Sequence, residues 1–284
     1  VNAIVIGGSG NLGQALITTM VRAGANVLCP SHQEMDLTNE IAVRKFITSA
    51  NPTYVINAAA MTDVDRCERE PDLAKLINGR AVGFAASAAR KVKAKFIQIS
   101  TDYVFDGRSL DPYSEYSVPH PLQEYGASKL LGEQYALEKG GSVFRVQWLF
   151  GQIKGNFIDW VAQSLMEGKK IPIFDQVGCP HSAFFVANLL VLSLQACRSG
   201  VYHIAHDQAT SRQQVAKYIL GYFRKDPKEW LVEPIPQASW VAERPRSVAL
   251  GTQELKSLLG VKTFGTWEAD VLAYLSSRYN RWNR

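Results

Sequence analysis

Residues 4–13 read Ile4-Val5-Ile6-Gly7-Gly8-Ser9-Gly10-Asn11-Leu12-Gly13, an apolar run that stops at a cluster of glycines. A helical pattern starts there, with Leu12, Ala15, Leu16, Thr19 and Met20 recurring on one face. A strand feeding a glycine-rich turn and then a helix presents free backbone N–H groups at a positive dipole end, a site suited to a pyrophosphate. Gly7 permits the tight turn, Gly10 lets a phosphate approach the backbone, and Gly13 lets helix and strand pack closely. The run fits G-x-x-G-x-x-G from Gly7 or G-x-G-x-x-G from Gly8. A plain turn before a helix also favours glycine; the position, opening the first βα unit, turns the reading toward a nucleotide.

Working outward, the first half alternates strands (3–6, 26–29, 54–57, 96–99, 143–146) with helices (11–23, 41–50, 72–91, 126–137). Strands that are apolar on both faces and separated by helices imply a parallel sheet covered on both sides. Right-handed crossovers make it doubly wound, a Rossmann-type α/β fold with its ligand across the C-terminal strand edge. The second half is less regular. It predicts helices over 157–166, 186–197, 212–223, 252–259 and 267–279, short strands at 171–174 and 201–204, and irregular packing over 230–245. We therefore expect a dinucleotide-binding domain over 1–150 and a smaller, mainly substrate-binding lobe over 151–284, some of whose segments return to the sheet.

A chain of 284 residues buries a full core, and 46% hydrophobic with 20% charged residues argues against disorder. No apolar run reaches membrane-spanning length, and the apolar N-terminus lacks a preceding basic segment, so it reads as a core strand rather than a signal peptide. The formal charge of +5 lacks the dense basic block and interleaved aromatics of a nucleic-acid binder and suits an anionic small molecule. Cys29, Cys67, Cys179 and Cys197 have no metal spacing; reduced thiols in a cytoplasmic protein are expected.

No acid closes the second strand to bond a ribose 2′-OH. Ser31 and His32 stand there and suit a 2′-phosphate, so NADPH is tolerated beside NADH. Asp36-Leu37 either reaches the adenine edge or caps the next helix. The chemistry converges where the fourth strand ends in Ser100-Thr101 and a later helix starts Tyr125-Gly126-Ala127-Ser128-Lys129. Residues four apart share a helix face, so Tyr125 and Lys129 point the same way. An ammonium beside the phenol is expected to lower its pKa and make it a usable acid or base. Thr101 supplies a hydroxyl to hold a substrate oxygen. A second Y-x-x-x-K, Tyr135 and Lys139, ends at a helix stop and reads as structural.

These residues together resemble the dTDP-4-dehydrorhamnose reductases of the extended short-chain dehydrogenase/reductase superfamily. The resemblance covers most of the chain. It is carried by VINAAAMT (55–62), ISTDYVFDG (99–107), YGASK (125–129), FGQIKGNF (150–157), DQVGCP (175–180) and ERPRSVAL (243–250). It implies Thr101, Tyr125 and Lys129 as the catalytic set. It implies a cofactor site at Gly7, Gly10, Asn11, Leu12 and Gly13, with Asp36, Leu37, Ala58, Ala59 and Ala60 near the adenosine half. Asp102, Tyr103 and Trp148 would lie by the sugar, with Asn156 and Gln176 toward the nucleotide. Arg212, Arg244 and Arg246 are either pyrophosphate contacts or solvated surface arginines. The implied reaction is reduction of a 4-keto sugar on a nucleoside diphosphate by NADPH or NADH, in a monomer or homodimer.

Some positions depart from the family pattern: Gly79-Arg80 after Asn78, Gln147 before Trp148, His181 for a threonine and Asn188 for an aspartate. Gln14 replaces an acid, so a metal-bridged dimer is not supported and no metal is expected. The alternatives are another nucleotide-sugar reductase or epimerase, and a non-catalytic NADP-binding subunit like the regulatory subunit of methionine adenosyltransferase.

Overall fold

The computed structural model describes residues 2–153, 155–172, 176–233 and 240–280. Five strands of the first half, β1 (Asn2–Ile6), β2 (Asn26–Leu28), β3 (Tyr54–Asn57), β4 (Lys95–Thr101) and β5 (Ser142–Val146), form a parallel sheet. Short strands follow: β6 (Leu149–Phe150), β7 (Ile171–Pro172), β8 (Val177–Gly178) and β9 (His181–Ser182). Then β10 (Gly200–His203) returns to the large sheet beside β5, so the segment expected as a short strand of the second half extends the first. Two further short strands, β11 (Thr210–Ser211) and β12 (Leu231–Val232), pair with β8 and β7. The six-stranded order is β2-β1-β3-β4-β5-β10. The chain reverses direction across the sheet at β1 and β3, and their C-terminal ends open the crevice where such sheets bind ligands.

The helices are α1 (Asn11–Arg22), α2 (Glu40–Ala50), α3 (Val64–Arg69), α4 (Pro71–Lys75), α5 (Ala81–Lys91), α6 (Glu124–Glu138), α7 (Phe157–Met166), α8 (Ala183–Ser193), α9 (Arg212–Tyr222), α10 (Pro227–Trp230), α11 (Gln253–Leu259) and α12 (Trp267–Tyr279). On one sheet face Leu12, Leu16 and Met20 of α1 meet Val186 and Leu190 of α8 over Val5, Ile56 and Ile97. On the other, Val43 and Ile47 of α2 meet Val82, Ala85 and Ala89 of α5 over Ile4 and Val55. Burial from both sides is why β1 and β3 run apolar on both faces, and in β4 even the alternating polar residues Gln98 and Ser100 are buried. A separate cluster, including Ile158, Val161, Val215, Ile219, Trp267 and Leu275, joins α7, α9 and α12. Among the described residues no helix is long and apolar enough to cross a membrane.

The expected single helix over 72–91 is interrupted. A π-helical turn, Leu76–Arg80, separates α4 from α5 and buries Asn78. Such a turn depends on tertiary partners: Asn78 Oδ1 accepts from Met61 N at 2.8 Å, and its Nδ2 donates to Met61 O and Ser128 Oγ, each at 3.0 Å. The short α3, capped by the Asp63 side chain, also escapes a reading based on long periodicity. Of the strand expected at 171–174, residues 173 and 174 lie outside the described residues, as do Asp175, Lys154 and residues 234–239 of the motifs and stretches named above.

Candidate active site

The glycine turn sits at the switch point. Gly10 N donates to Gly7 O at 3.1 Å, and Gly10 caps α1 without a side-chain bond of its own, which suits the positive end of the helix to an anion. A Cβ on Gly13 would lie 2.2 Å from Gly7 O, closer than any side chain tolerates, so only glycine lets α1 start against the turn. Gly7, Gly10, Asn11, Leu12 and Gly13 line the cavity at this point, and their geometry suits a dinucleotide pyrophosphate. Beside them Ala58 N donates to Ile6 O at 2.9 Å, and Ala59 N to Asn57 Oδ1 at 3.2 Å, fixing the end of β3 against β1.

β4 delivers Thr101 at its last position, and the following 3-10 turn, Asp102–Val104, carries Asp102 and Tyr103. Gln123 caps α6 by accepting from Gly126 N at 2.6 Å, which sets Tyr125 in the first turn and Lys129 one turn on. A Cβ on Gly126 would fall 2.1 Å from Tyr103 O, so the helix start presses onto the 3-10 turn. Lys129 Nζ donates to Ile99 O at 2.5 Å and is 3% exposed; burial lowers its pKa to about 8, partly offset by Glu133. Burial raises the pKa of Tyr125 well above that of an ordinary phenol, and the Thr101 hydroxyl only partly counters it. The expectation that the ammonium lowers the phenol is therefore not what these side chains do: desolvation wins, and Tyr125 carries its proton.

Beneath α6, Glu133 and Arg145 of β5 form a two-bond pair at 2.9 and 2.6 Å, both nearly inaccessible. Arg145 also lies 3.4 Å from His203 Nε2 and over the Phe105 ring. The pair ties the helix carrying Tyr125 and Lys129 to the sheet. Asn78 secures it from the other side through Ser128. Asn78 drew notice in the sequence only for its neighbours; nothing there signals the π turn that aims it.

A cavity of about 530 Å³ runs from the glycine turn past Ala58, Ala59 and Ala60 to Thr101, Asp102, Tyr103, Tyr125 and Lys129, ending at Trp148 and Arg212. Trp148 adopts a left-handed backbone at φ 40°. The Arg212 guanidinium lies over the rings of Trp148 and Phe157, at 4.5 and 4.6 Å, and donates to Gln176 Oε1 at 2.8 Å. Tyr103 meets the Tyr125 ring edge-on at 5.6 Å. Thr62, Val64 and Gln147 also line this space, none of them singled out from sequence for that role.

Other nominated residues lie elsewhere. Ser31 spends its backbone N–H and hydroxyl on Glu34, each at 2.8 Å, and His32 stands 3.7 Å from Asp36. Asp36 accepts from Thr38 N and Oγ1, and Leu37 packs in the core. The sequence reading saw no acid closing β2, and Glu34, three residues past Ser31, accepts these bonds in the turn after the strand. Asn156 caps α7 and donates to Gly151 O and Asp159. Gln176 supports Tyr103 and Arg212 from behind the cavity. Arg244 pairs with Asp65 at 3.0 Å, while Arg246 is exposed and its carbonyl accepts from Val177 N.

The RmlD substrate binding domain family matches residues 1–280. The chain belongs to this family. A curated relative within reach of it, the dTDP-4-dehydrorhamnose reductase of Burkholderia thailandensis, is 34% identical over 278 residues, covering 91% of this chain and 93% of its own. The dTDP-4-dehydrorhamnose reductase of Bacillus anthracis, solved in complex with NADP, superposes with TM-score 0.90 at 28% identity, covering 97% of this chain and 99% of that one. A dTDP-4-dehydrorhamnose reductase from Clostridium acetobutylicum gives TM-score 0.91 at 29% identity, with 98% and 99% covered. Among the positions where this RmlD-family chain departs from the pattern, Gln147 Oε1 accepts from Cys179 N at 3.0 Å, and His181 is fully buried with neither ring nitrogen hydrogen-bonded among the described residues.

Proposed function

We propose that the chain is an NAD(P)H-dependent reductase of a 4-keto nucleotide sugar, converting dTDP-4-dehydrorhamnose to dTDP-rhamnose. The observation that carries this reading is the single cavity joining an uncapped helix start and glycine turn to Thr101, Tyr125 and Lys129, and then to Trp148 and Arg212. A reduced nicotinamide, when bound, supplies a hydride; the protein supplies proton and orientation. Tyr125, kept protonated by burial, gives its proton to the oxygen of the keto group as that oxygen gains charge. Thr101 holds the same oxygen. Lys129 keeps its cation one turn behind Tyr125, where the family places the nicotinamide ribose. Arg212 supplies a planar guanidinium for the diphosphate, held in place by two aromatic rings.

The test is cofactor absorbance after mixing the protein with NADPH or NADH and dTDP-4-dehydro-6-deoxy-L-mannose. Stoichiometric oxidation is expected. Tight cofactor binding with no oxidation by any 4-keto nucleotide sugar would instead favour a binding subunit, and turnover without net oxidation an epimerase.

A further inference from the structure

We propose that Gln147 is a specificity-determining residue of the cavity, donating from its amide nitrogen to the hydroxyl that the sugar carries on C3, beside the keto carbon. The inference rests on the reductase reading above and narrows it from a 4-keto sugar to one hydroxylated at that carbon. β5 ends one residue before Gln147, and Val146 is the register partner of Thr101 at the end of β4. Adjacent strands lie about 4.8 Å apart, so Gln147 leaves the sheet beside the residue whose hydroxyl holds the keto oxygen. It lines the cavity with Thr101, Tyr125 and Trp148, yet it is only 2% exposed. Its Oε1 accepts from Cys179 N at 3.0 Å. A backbone N–H can be met only by the amide oxygen, so this bond fixes which end of the amide is which and leaves Nε2 over. Nε2 has no hydrogen-bond partner among the described residues. The side chain has little room to swing: a Cβ on Gly178 of β8 would fall 2.8 Å from Gln147 Oε1 and 2.7 Å from the Trp148 ring.

A buried amide donor without an acceptor is costly, and an oxygen of the bound sugar offers it one. Of the two carbons flanking C4 in a 4-keto-6-deoxy sugar, C3 carries a hydroxyl, whereas C5 carries a methyl group and the ring oxygen. With the C4 oxygen on Thr101, the neighbouring hydroxyl on C3 is the oxygen that meets a donor rising from the next strand. Gln147 touches no reacting atom. It selects the substrate and fixes the ring over Tyr125. Position 147 is also one where the chain departs from the family pattern, so this donor is a feature of this chain.

The experiment measures kcat/KM by cofactor absorbance with the 4-keto dTDP-sugar and with its 3-deoxy analogue, for wild type and for Gln147→Met, which keeps the length of the side chain but has no amide. Circular dichroism confirms folding. Wild type should prefer the hydroxylated sugar by about 10–100-fold, the effect of a buried donor left without its acceptor. Gln147→Met should lose that factor on the hydroxylated sugar and keep the wild-type value on the 3-deoxy analogue, so that the preference disappears. Equal loss on both sugars would mean that Gln147 only braces Cys179, and equal activity of wild type and variant would mean that the hydroxyl is read elsewhere; each overturns the assignment. A wild type indifferent to the C3 hydroxyl overturns it as well, whether or not the variant folds. Oxidation of the cofactor with neither sugar sinks the reductase reading itself, a result distinct from all of these.

Discussion

Replacing Glu133 with Gln removes one charge from a pair whose side chains are 3% and 1% exposed. Gln preserves the shape but leaves the Arg145 guanidinium buried, beside the His203 ring and with no counter-charge. His203 offers no compensation, since burial lowers its pKa to about 3 and keeps it neutral. Breaking a buried pair from one side costs about 3–5 kcal/mol. At roughly 2–4 °C per kcal/mol for a chain of this class, the melting temperature should fall by about 6–20 °C. Calorimetry and urea titration measure the loss. The double variant Glu133→Leu, Arg145→Met removes both charges and should recover most of it, because an apolar replacement of a buried pair is often neutral. The same loss in the single variant should slow catalysis, since α6 carries Tyr125 and Lys129. A single-variant cost below about 1 kcal/mol, the value of an exposed pair, would refute the reasoning.

Tyr125→Phe should lower kcat by about 10²–10⁴ while dinucleotide binding, read by NADPH fluorescence, is unchanged; an unaltered kcat removes Tyr125 as proton donor. Gly13→Ala places a carbon 2.2 Å from Gly7 O and should destabilise the protein by about 1–3 kcal/mol and weaken NADPH binding, measured by urea titration and fluorescence. His181→Leu removes two unbonded ring nitrogens from a fully buried site and should stabilise by about 1–3 kcal/mol at neutral pH; destabilisation would mean that the nitrogens have partners in solution. Asp102 has its carboxyl raised from 3.8 to about 7, so the folded state holds its proton where the unfolded state has released it. Stability from this group is complete below about 4 and declines as pH rises to about 7, and Asp102→Asn should flatten that part of the urea-titration profile.

The glycine turn and the parallel strands were legible because each follows from local pattern: an apolar run buried on both faces, then glycines where no Cβ fits. Tyr125 and Lys129 were legible because helical spacing alone puts them on one face. Three things were not. The π turn at Leu76–Arg80 depends on Met61 and Ser128, both distant in sequence, and a helical period carries no trace of it. The protonation of Tyr125 is set by desolvation, a property of the packed site, whereas spacing reveals only the charge nearby. The contact of Glu34 with Ser31 was not visible either, because the turn that makes it is a three-residue hydrogen-bonded loop with no apolar period. Arg212 was one of three equivalent arginines in the sequence. The pairing of Arg244 with Asp65 and the exposure of Arg246 set it apart as the one over Trp148 and Phe157.

The most direct measurement is isotope transfer. The protein is incubated with NADPH deuterated at the nicotinamide C4 hydride position and with the 4-keto dTDP-sugar, and the product is weighed by mass spectrometry. A reductase built on this cavity puts the label on the sugar C4, with one cofactor oxidised per sugar reduced. Recovery of unlabelled sugar with the deuterated cofactor intact would contradict it.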